Sequence, residues 1–131
     1  MTDLGDSSKL ADRNAKSASL KSSSVVSFRV LNWETSVPDL SSDGSIDAIL
    51  VSDCTYNPDS SPALVRVLTA LTLQSPKAMT IIAMKVRHSA ELVFFDLMRS
   101  AGFIERAHHS LVLPGGAGED GDKVDIYYFE L

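Results

Sequence analysis

The stretch DAILVSDCTYNPDSSP, residues 47–62, decides the fold. Asp47 to Ser52 is a short apolar run ending in polar residues. Such a run predicts a central parallel strand buried on both faces. DCTYNPDSSP reads as the loop leaving it. Ser61 before Pro62 predicts an N-cap and first helical position, where proline's missing N–H is no loss. Leu64, Val67, Leu68 and Leu71 follow at helical spacing, and the helix ends near Gln74, before Pro76.

Downstream, Ala78 to Met84 (AMTIIAM) predicts a second buried strand. His88 or Ser89 caps a helix carrying Leu92, Phe95 and Met98, and Gly102 stops it. Phe103–Leu113 and Val124–Leu131 predict two strands joined by a flexible loop, Pro114–Lys123. Upstream, Leu10, Ala11, Ala15 and Ala18 alternate with charged residues over 6–20. This predicts an amphipathic helix capped by Asp6 or Ser7. A strand from about Val26 to Trp33 follows, then a polar loop, Pro38–Ser45, with a turn at Asp43-Gly44. Strands alternating with helices imply a parallel α/β sheet covered by helices, with the last two strands as an antiparallel edge hairpin.

The 131 residues suit a single domain spanning 1–131, and 44% hydrophobic with 22% charged residues is the profile of a water-soluble globule. A net charge of −5 argues against a nucleic-acid surface. No apolar run approaches the roughly 20 residues of a membrane span, and the N-terminus has no apolar signal region. One cysteine, Cys54, allows no internal disulfide and points to a reducing cytoplasmic or nuclear setting. No metal site is expected. His108 and His109 are adjacent and would face opposite ways on a strand. Gly115-Gly116-Ala117-Gly118 sits in a hairpin rather than between a strand and a helix, so it is no phosphate loop.

Ligands of open parallel sheets bind beyond the carboxyl ends of the strands. The residues leaving those ends are Asn32, Trp33 and Glu34; Ser52, Asp53 and Tyr56; and Lys85 and Arg87. Asp3 joins them if Met1-Thr2 closes a strand. Acidic and aromatic groups there suit a hydroxyl-rich cationic ligand, since carboxylates accept from ribose hydroxyls and an aromatic face attracts a cation. Each residue also has a plainer reading. Trp33 could cap the core, Asp53 and Tyr56 could be loop residues, and Cys54 a small filler. Lys85 and Arg87 read as solvated strand-end charges.

Asp53-Cys54-Thr55-Tyr56, after its apolar strand, resembles the strand-four signature of the seven-β-strand methyltransferases of family 16, the lysine methyltransferase-like and nicotinamide N-methyltransferase-like proteins. VLNWE resembles the Leu-Asp-Trp motif of that family, with Asn32 where aspartate is usual. Thr2-Asp3-Leu4 with SKLADRNAKSAS resembles the end of its second strand and the next helix. MKVRHSAELVFFDLMRSAGF and VDIYYFEL resemble its fifth strand, following helix and closing hairpin. The resemblance implies an incomplete Rossmann-like class I methyltransferase fold, N-terminally truncated, without the first strand and glycine-rich loop. It implies S-adenosylmethionine (AdoMet) as cofactor. Asp3 would hold the ribose hydroxyls, Asn32 and Trp33 would flank the adenine, and Ser52 would complete the cofactor site. Asp53 and Tyr56 would lie near the methyl group and the acceptor, as the catalytic pair.

The expected activity is N-methylation of a protein lysine in a basic protein or peptide. Residues 30–60 hold six acidic residues and no lysine or arginine, which would attract such a substrate. Two alternatives stand beside it. One is a non-catalytic remnant or interaction module, whose exposed sheet edge would recruit a covering partner. The other is methylation of a small molecule.

Overall fold

The computed structural model describes residues 2–3, 5–21, 24–37, 39, 44–113 and 122–131. Most of the expected loop at 38–45 and residues 114–121 of the hairpin loop, including Gly115–Gly118, lie outside them. The chain forms two compact units, Met1–Val37 and Pro38–Leu131.

In the first unit, β1 (Thr2–Asp3) pairs in parallel with β2 (Arg29–Val30), and Asp3 stands opposite Val30. The connection carries a 3-10 turn, Gly5–Ser7, and α1 (Ser8–Lys21). Ala15 is buried on α1, while Leu10 and Leu20 are exposed. The Ser19 hydroxyl donates to the Val26 carbonyl at 3.2 Å and accepts the Val26 N–H at 2.8 Å. This ties the end of the helix to the returning chain. The strand expected over Val26–Trp33 contracts to Arg29–Val30, and Trp33–Thr35 turn away.

In the second unit, β3 (Ala48–Ser52), β4 (Met79–Met84), β5 (Ile104–Leu113) and β6 (Asp122–Glu130) form one sheet in the order β3-β4-β6-β5. β3 and β4 are parallel, as expected. β6 runs antiparallel to both β4 and β5, which gives the C-terminal hairpin. The expectation that the first of these strands is buried on both faces is corrected. β3 ends the four-stranded sheet; Val51 is buried, but Leu50 is 76% exposed. A run of apolar residues reports hydrophobicity, not how many neighbours the strand has.

Asn57 opens the way into α2 (Ser61–Gln74), its Oδ1 accepting the Asp59 N–H at 3.1 Å. A 3-10 turn at Pro58–Ser60 follows, so Ser60 rather than Ser61 is the N-cap, with Pro62 in the first turn. Leu64, Val65, Val67 and Leu68 form the buried stripe of α2. His88 leads into a 3-10 turn, Ser89–Leu92, and α3 (Val93–Ser100). Gly102, at φ +97°, ends it, a conformation that glycine adopts without a Cβ penalty. Phe94, Phe95 and Met98 enter the core, where Phe95 meets Tyr127 at 4.6 Å and Phe129 at 6.2 Å between ring centres. Ile82, Met84 and Phe129 complete it from the sheet.

The hairpin carries a polar cluster of its own around the buried Asp125. Asp125 accepts from the Ser110 hydroxyl, lies 3.1 Å from His108 Nε2 and 3.4 Å from Lys123 Nζ. The Ser110 hydrogen bond, helped by His108 and Lys123 and opposed by burial, holds its carboxyl below the ordinary 3.8. A carboxylate with a lowered folded-state pKa stabilises the fold above its unfolded value, and that contribution is lost as pH falls through the folded one. Asp125→Ala should therefore cost about 2 kcal/mol at pH 7. Its stability should also fall less than wild type's below pH 3.8, as urea titrations at pH 7 and pH 3 would show.

Candidate functional site

Parallel register puts Ser52 beside Ala83, so the residues following β3 and β4 leave the sheet side by side. The Asp53 N–H donates to the Ala83 carbonyl at 2.8 Å, a last rung beyond the strand. Asp53 then turns with φ +54°. Aspartate tolerates this left-handed region better than most residues, and such positions cluster at functional sites.

The turn sorts the following side chains. Thr55 is 1% exposed, its hydroxyl directed at Met84 Sδ at 3.6 Å, and it anchors the loop to β4. The Cys54 thiol donates to the Ser52 carbonyl at 3.2 Å. Ser52 and Asp53 face solvent, and Tyr56 is 67% exposed.

The Asp53 carboxylate is held by Arg87. Nη1 donates to Oδ1 at 2.9 Å and Nη2 to Oδ2 at 2.6 Å, a two-pronged ion pair. The Arg87 hydrogen bonds push the Asp53 carboxyl below its ordinary value; partial desolvation opposes them, and the guanidinium charge and the Lys85 backbone N–H add to them. Asp53 in turn raises Arg87, which stays charged throughout. Arg87 stays exposed at the strand end, as its place in the sequence suggested, but it is paired with Asp53. Glu91 sets the backbone that carries it: Oε1 accepts the Arg87 N–H at 3.3 Å and the His88 N–H at 3.1 Å, and the side chain is 2% exposed overall. The sequence reading placed Arg87 at the strand end without a partner and passed over Glu91. The available signal was that two parallel neighbours ending at Ser52 and Met84 bring their next few residues together.

In the first unit, β1 and β2 place Asp3 and the Asn32-Trp33 turn at the carboxyl ends of neighbouring parallel strands. Asn32 builds the turn. Its Oδ1 accepts the Glu34 N–H at 2.9 Å and its carbonyl accepts the Ser36 N–H at 3.0 Å. This Asx turn leaves Trp33 half-buried. Aspartate and asparagine both form it, so asparagine keeps the local backbone that an aspartate would give.

A family model described as lysine methyltransferase matches residues 1–101. The chain belongs to the lysine methyltransferase family. No curated protein matches it. Among solved structures it is similar to PH0226 protein from Pyrococcus horikoshii OT3, with TM-score 0.60 and 12% identity over 98% of this chain and 69% of that one. It is also similar to the CMeT domain of the citrinin polyketide synthase, with TM-score 0.55 and 18% identity over all of this chain and 38% of that one. These likenesses support the open α/β sheet with helices.

The donor chemistry of this family member fits an adenosyl cofactor. Trp33 offers a half-buried aromatic surface just past the end of β2. Among the described residues no cluster of histidine, cysteine or acidic side chains could hold a metal, and no helix is long and apolar enough to cross a membrane. An open groove of about 550 Å³ between α2 and α3, lined by Val65, Thr69, Leu73 and Leu97, contains none of the candidate residues.

Proposed function

We propose that the protein transfers a methyl group from AdoMet to the side-chain amine of a lysine in a basic protein or peptide. Asp3 is assigned to the ribose hydroxyls, Asn32 and Trp33 to the adenine, and Ser52 to the remainder of the cofactor. Asp53 and Tyr56 are assigned to the acceptor. The observation that carries this reading is the Asp53–Tyr56 turn: a carboxylate fixed at the sheet end at φ +54°, with an exposed tyrosine three residues on.

The cofactor, when bound, supplies a methyl group activated by its positive sulfur. The chain has to align the acceptor nitrogen, at about 3 Å from its target, and keep it deprotonated. A free lysine has a pKa of about 10.4, so the site must favour the neutral amine. Tyr56 can orient that amine by its hydroxyl or pack along its aliphatic stem. Asp53 can accept one of its N–H groups. The acidic run over 30–60 draws in a basic peptide. A single cysteine, Cys54, suits a reducing compartment, and we place the protein in the cytoplasm.

Label transfer from methyl-tritiated AdoMet tests the reading with three acceptors: an alanine–lysine peptide, its alanine–arginine counterpart and nicotinamide. Labelling of the lysine peptide alone is expected. Labelling of nicotinamide alone would move the activity to small molecules. A second reading, an interaction module, is favoured by the exposed Leu50 on β3, which pairs on one side only among the described residues. Labelling of none of the three would favour it.

A further inference from the structure

The ion pair of Arg87 and Asp53 answers a difficulty in that chemistry. A bare carboxylate beside a lysine amine stabilises the ammonium and raises its pKa. An ammonium has no lone pair with which to attack. A carboxylate at the acceptor site therefore attracts the substrate and disables it, unless its charge is cancelled.

Arg87 cancels it in a particular geometry. Each guanidinium nitrogen takes one carboxylate oxygen, at 2.9 and 2.6 Å. The Lys85 backbone N–H takes a further acceptor position, and the one that remains lets Asp53 accept an N–H from a neutral amine. The pair is placed from both ends. The last rung to Ala83 and the left-handed turn fix Asp53, and the buried Glu91 carboxylate fixes the Arg87 backbone. Both partners are near half-exposed, at 44% for Arg87 and 48% for Asp53. Ion pairs so exposed to water add little to folding. The buried Glu91 caps the following turn by accepting the Arg87 and His88 N–H groups, and thereby fixes the point from which the Arg87 side chain reaches Asp53.

We infer that Arg87 is a positioning residue that cancels the charge of Asp53, so that the site receives the acceptor amine in its neutral form. This rests on the reading of Asp53 as the acceptor-facing carboxylate. The other titratable groups on the two segments are Cys54, Tyr56 and Asp59 after β3, and Lys85, His88 and Glu91 after β4.

The test compares wild type, Arg87→Gln and Arg87→Lys in two measurements. The first needs neither cofactor nor turnover. Each chain is titrated at pH 7 with n-butylammonium chloride, and with n-butanol as the uncharged control, following the amide signals of Cys54 and Tyr56 by NMR. Removing the guanidinium unmasks a half-exposed carboxylate, so Arg87→Gln should bind n-butylammonium about fivefold more tightly than wild type, with butanol binding unchanged. Arg87→Lys keeps the charge and should stay close to wild type. Equal ammonium binding by all three chains would overturn the inference.

The second measurement is the pH dependence of methyl transfer to the lysine peptide. In Arg87→Gln the rise of kcat should move to higher pH, with an unchanged or lower KM, because the bound amine is held as ammonium. A merely structural role would lower kcat without moving the profile, and that result would also overturn the inference. If the ammonium result holds while no chain methylates the peptide, charge cancellation stands and the lysine-transfer reading falls.

Discussion

Asp53→Ala should lower methyl transfer to the lysine peptide by about 100-fold or more, while AdoMet affinity stays within about threefold. The reason is the division of labour between the strand ends. Asp3, Asn32, Trp33 and Ser52 are assigned to the cofactor, whereas Asp53 is assigned to the acceptor. Alanine at this position has a second effect that must be separated from the first. Asp53 sits at φ +54°, where an ordinary L-residue carries a penalty of about 1–2 kcal/mol. Two further variants make the separation. Asp53→Gly removes the carboxylate and relieves the backbone, so it should be inactive yet fold well. Asp53→Asn keeps the turn and one acceptor oxygen but releases the charge pair with Arg87. Isothermal titration of AdoMet beside the label-transfer assay checks all three. Turnover within threefold of wild type in Asp53→Gly would remove Asp53 from the site.

Phe94→Ala should be the most damaging core change. Phe94 is 0% exposed and packs edge-on against Phe95 at 5.5 Å between ring centres. Truncating a fully buried phenylalanine costs about 3–5 kcal/mol, because the lost transfer energy is joined by a cavity that the neighbours cannot fill. Small domains hold only about 5–15 kcal/mol of stability in total, so this is a large share. Urea unfolding followed by far-ultraviolet circular dichroism measures it, with Leu20→Ala as the control. Leu20 is 88% exposed and its truncation should change stability by no more than about 0.5 kcal/mol. A loss under about 1 kcal/mol for Phe94→Ala would contradict the full burial of Phe94 on α3.

The elements that carry their own local signals were legible in the sequence. Pro62 and the leucine–valine stripe fix α2, and Gly102 marks the end of α3. The period-two pattern of VDIYYFEL gives β6, which pairs with β5 as the hairpin expected. What was not legible depends on partners. β2 covers only Arg29–Val30, and no property of Phe28 or Leu31 says so. Leu50 is as apolar as Val51, yet only Val51 is covered. The site divides in the same way. Asp53 and Tyr56 announce themselves by their place after an apolar strand. The pairing of Asp53 with Arg87 spans 34 residues and exists only because β3 and β4 run parallel in the register Ser52 to Ala83. A charged residue past a strand end is read as solvated until the neighbouring strand is known.

The central claim, that the strand-end residues form an AdoMet site, is tested most directly by titrating the isotope-labelled chain with S-adenosylhomocysteine and following its amide and indole signals by NMR. The account predicts saturable binding, with the largest shifts at Asp3, Asn32, Trp33 and its indole N–H, and Ser52. Absence of binding, or shifts gathered instead on Val65, Thr69 and Leu97 between the helices, would contradict it.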